Sequence, residues 1–129
     1  MAPKFRAWLK EEKRMTDVHE MTFIDGEVYL ISDITGFYAY EEFKLMQSTG
    51  LKDKNGKEIF EGDIVKYNCG GMDTFTETVA YNEDFGGFGF VDKHADFIFT
   101  FGYLDEGVNF TSFEIVGNIY ENSELLGGE

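Results

Sequence analysis

Apolar and polar residues alternate along most of this chain in short runs, broken by turns rich in glycine, asparagine and acidic residues. A period of two puts successive side chains on opposite faces of a strand, so the pattern predicts half-buried strands, not amphipathic helices. Lys4 to Leu9 reads as a first strand, with Phe5, Ala7 and Leu9 on one face and Arg6 and Trp8 on the other. A charged turn, Glu11-Glu12-Lys13-Arg14, follows. Met21 to Ile24 and Glu27 to Ile31 flank the pair Asp25-Gly26. That pair tolerates the positive φ angles of a type I′ turn, so the stretch predicts a hairpin.

Residues 33–42 have no clear period, and Phe43 to Gln47 fits a strand or a helical turn equally well. Asp53 to Lys57 is a polar turn built around Asn55-Gly56, with Ile59 and Phe60 as a short apolar pair after it. Gly62 to Tyr67 then opens a strand-rich half that continues through Thr74–Tyr81, Gly87–Val91, Phe97–Tyr103 and Ser112–Ile119. The expected fold is mostly β: a small sandwich or partly open SH3-like barrel with one or two short helices, α+β being the alternative. No repeat, low-complexity segment or linker interrupts the chain, so residues 1–129 are expected to form a single domain.

Composition narrows this picture. Aromatic residues make up 17% and apolar residues 43% of the 129 positions, which argues for one packed core and against disorder. Cys69 is the single cysteine, which leaves no intramolecular disulfide and no cysteine-rich zinc site. The N-terminal residues lack the apolar run of a signal peptide, and no stretch approaches the ~18 apolar residues that span a bilayer. A bacterial cytoplasm without membrane association is the expected location.

Charge changes the picture most. Of the net −14, residues 1–66 carry 13 acidic and 10 basic groups, whereas residues 67–129 carry 12 acidic groups and Lys93 alone. Nucleic-acid binders present a basic stripe that releases counterions from phosphates, and the second half has none. It should repel nucleic acid and attract basic partners.

Three segments carry a resemblance. Lys4-Phe5-Arg6-Ala7-Trp8, the 21-residue block from Leu45 to Val65, and Phe113 to Asn122 resemble the signature of the YopX family. The resemblance implies a phage or prophage protein of Gram-positive bacteria that assembles as a homo-oligomer, with no assigned enzymatic activity or catalytic residue. The block also has a purely structural reading. Thr49-Gly50, Asn55-Gly56 and Glu61-Gly62-Asp63 are turn chemistry between strand anchors, which favours fold specification over a site.

Candidate chemistry is sparse. His19 and His94 stand in no nucleophile motif, and a Cys69–His94 pair would need hydrogen-bond reach that the sequence does not predict. Asp92-Lys93-His94-Ala95-Asp96 is the best metal-like cluster, but it reads more simply as a solvated loop. Asp53-Lys54-Asn55-Gly56 begins like a calcium loop and then departs from the ligand spacing. Gly86-Gly87-Phe88-Gly89 lacks the spacing of a phosphate loop, and a bulge or close turn accounts for it better. No catalytic residue, cofactor or metal is therefore expected.

The expected function is a non-enzymatic, homo-oligomeric protein-interaction module that engages a host or phage protein through an acidic, aromatic-rich surface. The candidate surface residues are Glu83, Asp84, Phe85, Phe88, Asp92, Asp96, Asp105 and Glu106. The alternative is a nucleic-acid module using Lys4, Arg6, Lys10, Lys13, Arg14, Lys52, Lys54 and Lys57 of the first half.

Overall fold

Strands dominate the computed structural model, which describes residues 4–68, 74–84, 86–92, 97–100 (backbone only) and 113–126. Among these residues the helical content is two short 3-10 turns, Tyr40–Glu42 and Ser123–Leu126. The strands are β1 (Phe5–Leu9), β2 (Arg14–Asp17), β3 (Glu20–Ile24), β4 (Glu27–Asp33), β5 (Gly36–Ala39), β6 (Phe43–Lys52), β7 (Glu58–Phe60), β8 (Asp63–Asn68), β9 (Thr74–Asn82), β10 (Gly87–Val91), β11 (Phe97–Thr100) and β12 (Glu114–Asn118). The mostly-β expectation holds, and its short helices reduce to those 3-10 turns. Two compact units divide the chain, Met1–Ser48 and Thr49–Glu129, with β6 running through the boundary.

In the first unit β1 lies between β2 and β6, antiparallel to both, with Ala7 opposite Thr16 on one side and Leu45 on the other. The charged turn is one residue shorter than its sequence suggests. It closes at Lys13, whose φ is +53°, and Arg14 already pairs with Leu9. A second, three-stranded sheet has the order β3-β4-β5. Asp25 and Gly26 have φ values of +52° and +82°, as the predicted hairpin turn requires. Residues 33–42, illegible in the sequence, form the β4–β5 turn, β5 and a 3-10 turn. Phe43–Gln47 resolves as strand because it is hydrogen-bonded to β1. Ala7, Leu9, Ile31 and Phe43 are buried together, with Met21, Val28, Tyr38 and Leu45 packed around them.

The second unit is built on a sheet of order β11-β10-β9-β8-β12. Its core consists of Ile59, Val65, Tyr67, Val79, Phe90 and Phe113. Tyr67 stacks on Phe90 at 4.6 Å, and Phe113 meets both rings edge-on at 5.4 and 5.5 Å. Offset and edge-on contacts of this kind add specificity to the apolar burial. Register shifts between Phe90 and Val91 and between Ile115 and Gly117 mark β-bulges, which bend and twist the sheet.

Candidate functional site

The block from Leu45 to Val65 and the segment from Phe113 to Asn122 build three polar knots of the second unit. Asp53 is 6% exposed and sits at the head of the Asn55-Gly56 turn. Its Oδ1 accepts the backbone N–H groups of Asn55 and Lys57, both at 2.9 Å, and its Oδ2 accepts that of Ile115 at 3.0 Å. The Lys54 N–H donates to the Phe113 carbonyl at 2.8 Å. One carboxylate thus closes the turn and moors a strand 62 residues away. Burial raises the Asp53 pKa, but the three amides and the nearby Lys57 charge outweigh it and hold the carboxyl below its usual range.

Asp63 is 2% exposed, and its Oδ2 accepts the Phe60 N–H at 2.8 Å across Gly62, whose φ is +86°. Asn118 holds the C-terminal turn: its Oδ1 accepts the N–H groups of Tyr120 and Glu121, both at 3.0 Å. Gly117 faces Asn122 so closely that a Cβ there would lie 2.6 Å from the Asn122 Oδ1. In each of these placements the polar side chain serves a turn or a strand end.

A fourth cluster, in the first unit, was not singled out in the sequence. The Asp33 carboxylate is 1% exposed. It accepts the Thr35 hydroxyl at 2.6 Å, the Thr35 N–H at 2.7 Å, the Gly36 N–H at 3.1 Å, the Thr16 hydroxyl at 2.7 Å and the Arg14 Nη2 at 3.2 Å. The Thr35 hydroxyl leads the contributions that hold the Asp33 carboxyl far below the ordinary range. Arg14 also donates to Glu12 at 2.8 Å and to the Tyr38 oxygen at 3.1 Å. Hydrogen bonds to Arg14 and Tyr38 lower the Glu12 pKa. Asp33-Ile34-Thr35-Gly36 is an Asx-type turn, and that pattern was the available sequence signal.

Of the proposed acidic surface, Glu83 and Asp84 are exposed in the turn between β9 and β10. Phe88 is half-buried, packs against the core and meets Tyr81 edge-on at 5.2 Å. Asp92 follows β10, and together with burial it raises the pKa of Glu77 on β9. Phe85, Asp96, Asp105 and Glu106 lie outside the described residues, as do Cys69 and His94. Among the alternative basic residues, Arg14 is engaged with Glu12 and Asp33, and Lys54 lies 3.4 Å from Glu114.

Sequence reasoning also missed an apolar surface. Among the described residues ten large hydrophobic side chains are exposed, and six of them, Phe23, Ile24, Tyr29, Ile34, Phe37 and Tyr40, belong to the three-stranded sheet and its turns. Tyr29 and Tyr40 form a tilted ring pair at 5.6 Å. Charge is distributed differently. Residues 1–48 carry 9 acidic and 6 basic groups, net −3, and residues 49–129 carry 16 acidic and 5 basic groups, net −11. Periodicity predicted β3 and β4 but not β5, nor which of their faces would remain uncovered.

No curated protein matches the chain. Among solved structures it is similar to the crystal structure of protein EF1440 from Enterococcus faecalis, at 32% identity and a TM-score of 0.67, covering 98% of this chain and 99% of that one. The family model described as YopX protein matches residues 4–127, which include all three signature segments and the knots they build. The chain therefore belongs to the YopX family.

Proposed function

We propose that the protein is a non-enzymatic, homo-oligomeric protein-interaction module, encoded by a phage or prophage and acting in the cytoplasm of the bacterial host. The observation that carries this reading is the exposed apolar surface of the β3-β4-β5 sheet. Its six large side chains are between 45% and 86% exposed. At about 200 Å² for a large side chain, they leave on the order of 700 Å² accessible. Phe37, opposite Ser32, and Tyr29, on the face of Ile31 and Tyr38, leave the sheet on opposite sides, so each face offers a smaller apolar patch of the size used in weak or transient contacts.

The buried carboxylates support the non-enzymatic part. Asp33 and Asp53 are committed to backbone amides and neighbouring side chains, and in that state they serve the fold and not proton transfer. The acidic second unit supports a basic protein partner, through Glu83, Asp84 and Asp92 together with the exposed rings of Phe75 and Tyr81. Native mass spectrometry and a tagged pull-down from host lysate, with and without nuclease, test the reading. An oligomer with a nuclease-resistant protein partner is the expected result. A monomer that retains nucleic acid, and loses its partners on nuclease treatment, would overturn it in favour of the nucleic-acid module.

A further inference from the structure

We propose that Asn55 is a modification site, converted to aspartate and isoaspartate through a cyclic imide with Gly56, and that the Asp53 knot holds this reaction closed in the folded chain. Asn55-Gly56 is the one Asn-Gly pair in the sequence. Glycine after asparagine leaves the backbone nitrogen between them unshielded, because no Cβ stands beside it. Asn55 is exposed, and its side chain makes no hydrogen bond among the described residues. A Cβ placed at Gly56 would meet nothing within 4 Å, so crowding does not guard the pair.

In the reaction the Gly56 nitrogen attacks the Asn55 Cγ. A C–N bond forms, the bond from Cγ to the side-chain nitrogen breaks, and the proton lost from Gly56 leaves with that nitrogen as ammonia. Water then opens the ring at either carbonyl, giving aspartate or isoaspartate. Water is the co-reactant and ammonia the product, and no electron changes hands.

The folded turn withholds the attacking nitrogen. The Gly56 N–H donates to the Asp53 carbonyl at 3.0 Å, and Gly56 is held at a φ of +81°. The N–H groups of Asn55 and Lys57 donate to the Asp53 Oδ1, both at 2.9 Å, so the backbone is fixed on both sides of the Gly56 nitrogen. Attack requires that nitrogen to turn from the Asp53 carbonyl toward the Asn55 side chain, which breaks the knot. The turn is also tied to the β12 segment, by the Lys54 N–H on the Phe113 carbonyl at 2.8 Å and the Ile115 N–H on the Asp53 Oδ2 at 3.0 Å. The rate in the folded chain is therefore the intrinsic rate multiplied by the fraction of time the turn is open. The coupling runs both ways. Isoaspartate lengthens the main chain by one carbon, carries Gly56 and Lys57 out of register with Asp53, and loosens the mooring of β12.

The test follows residue 55 by peptide mass spectrometry, at neutral pH, in the full chain and in a peptide of residues 49–61. The full chain should convert at least ~10-fold more slowly than the peptide, since a hydrogen bond to a charged group shifts an opening equilibrium by about that factor. Asp53→Ala should bring the full chain within ~3-fold of the peptide carrying the same change, with Asp53→Asn between the two. Circular dichroism identifies the variants that stay folded. If Asp53→Ala does not fold, Asp53→Asn and the parent decide: in urea below the unfolding transition, conversion should rise in step with hydrogen exchange of the Gly56 amide. In the purified isoaspartate form, residues 113–120 should exchange faster than in the parent. A full chain that converts as fast as the peptide overturns the gate. A folded Asp53 variant as slow as the parent, or conversion that does not track Gly56 exchange, overturns the role of Asp53. If neither the chain nor the peptide converts, Asn55 is not a modification site.

Discussion

Replacing Asp53 tests whether the signature block specifies the fold. Its carboxylate accepts three backbone N–H groups, each in the range of 2.9–3.0 Å. A hydrogen bond to a charged group contributes roughly 1.5–3 kcal/mol. The three do not add in full, because Asn55 and Lys57 are exposed and water can reach their amides once the carboxylate is gone. Ile115 is half-buried on β12, so its N–H loses most. Asp53→Ala should therefore destabilise by about 3 kcal/mol. Asp53→Asn keeps one acceptor oxygen for the turn but sets an amide NH₂ against the Ile115 N–H, and should lose about 1.5–2 kcal/mol.

Urea unfolding followed by circular dichroism measures both losses, provided that the m value is unchanged. Hydrogen exchange of peptides covering residues 52–66 and 113–120 localises them, and protection should fall in both peptides. The pH dependence has a definite sign. Asp53 has a lowered pKa in the folded state, so its contribution is fully present above the unfolded carboxylate pKa of ~3.9 and fades as pH falls below it. The gap between parent and Asp53→Asn should narrow below about pH 4. A loss under 0.5 kcal/mol for Asp53→Ala at neutral pH, or loss of protection in the turn alone, would refute the mooring argument.

Three further outcomes are expected. Gly117→Ala places a Cβ within 2.7 Å of the Asn122 Cβ and Cγ, a clash that side-chain rotation alone does not relieve, and should destabilise by about 2 kcal/mol in urea unfolding. Asp33→Ala should lower the melting temperature more than Arg14→Ala, because Asp33 loses every partner while Arg14→Ala leaves its hydroxyl and amide bonds intact; the reverse order in thermal melts would place the organising role with Arg14. Glu77→Gln should raise the melting temperature at neutral pH. Burial and Asp92 raise the Glu77 pKa, so its ionisation opposes folding above the ordinary carboxylate range and the benefit should vanish in acid.

Much of this structure is legible in the sequence wherever the local rules act alone. The hairpin around Asp25-Gly26 and the turn at Asn55-Gly56 need only backbone conformations that few residues tolerate, with φ of +82° at Gly26 and +81° at Gly56. β1 follows from a two-residue period, with Ala7 and Leu9 buried on one face, whereas β8, β9 and β10 were legible from their turn-bounded spacing although each buries neighbouring residues. β2 and β5 escaped because four-residue strands give too short a period to read, and both are fixed by neighbours, β1 and β4. Phe43–Gln47 was ambiguous until its pairing with β1 decided it.

The candidate surfaces divide in the same way. Net charge and its concentration in the second half are sums over residues, so the sequence alone determines them. Whether an aromatic ring is core or surface is set by which neighbours cover it: Phe90 is buried, Phe88 is half-buried, and Phe37, in an equally apolar setting, is 69% exposed. The mooring of β12 by Asp53 depends on a contact 62 residues away, and local pattern does not reach that far. Turns and strands arise from interactions over a few residues, whereas burial and long-range hydrogen bonds exist only once the chain has closed on itself.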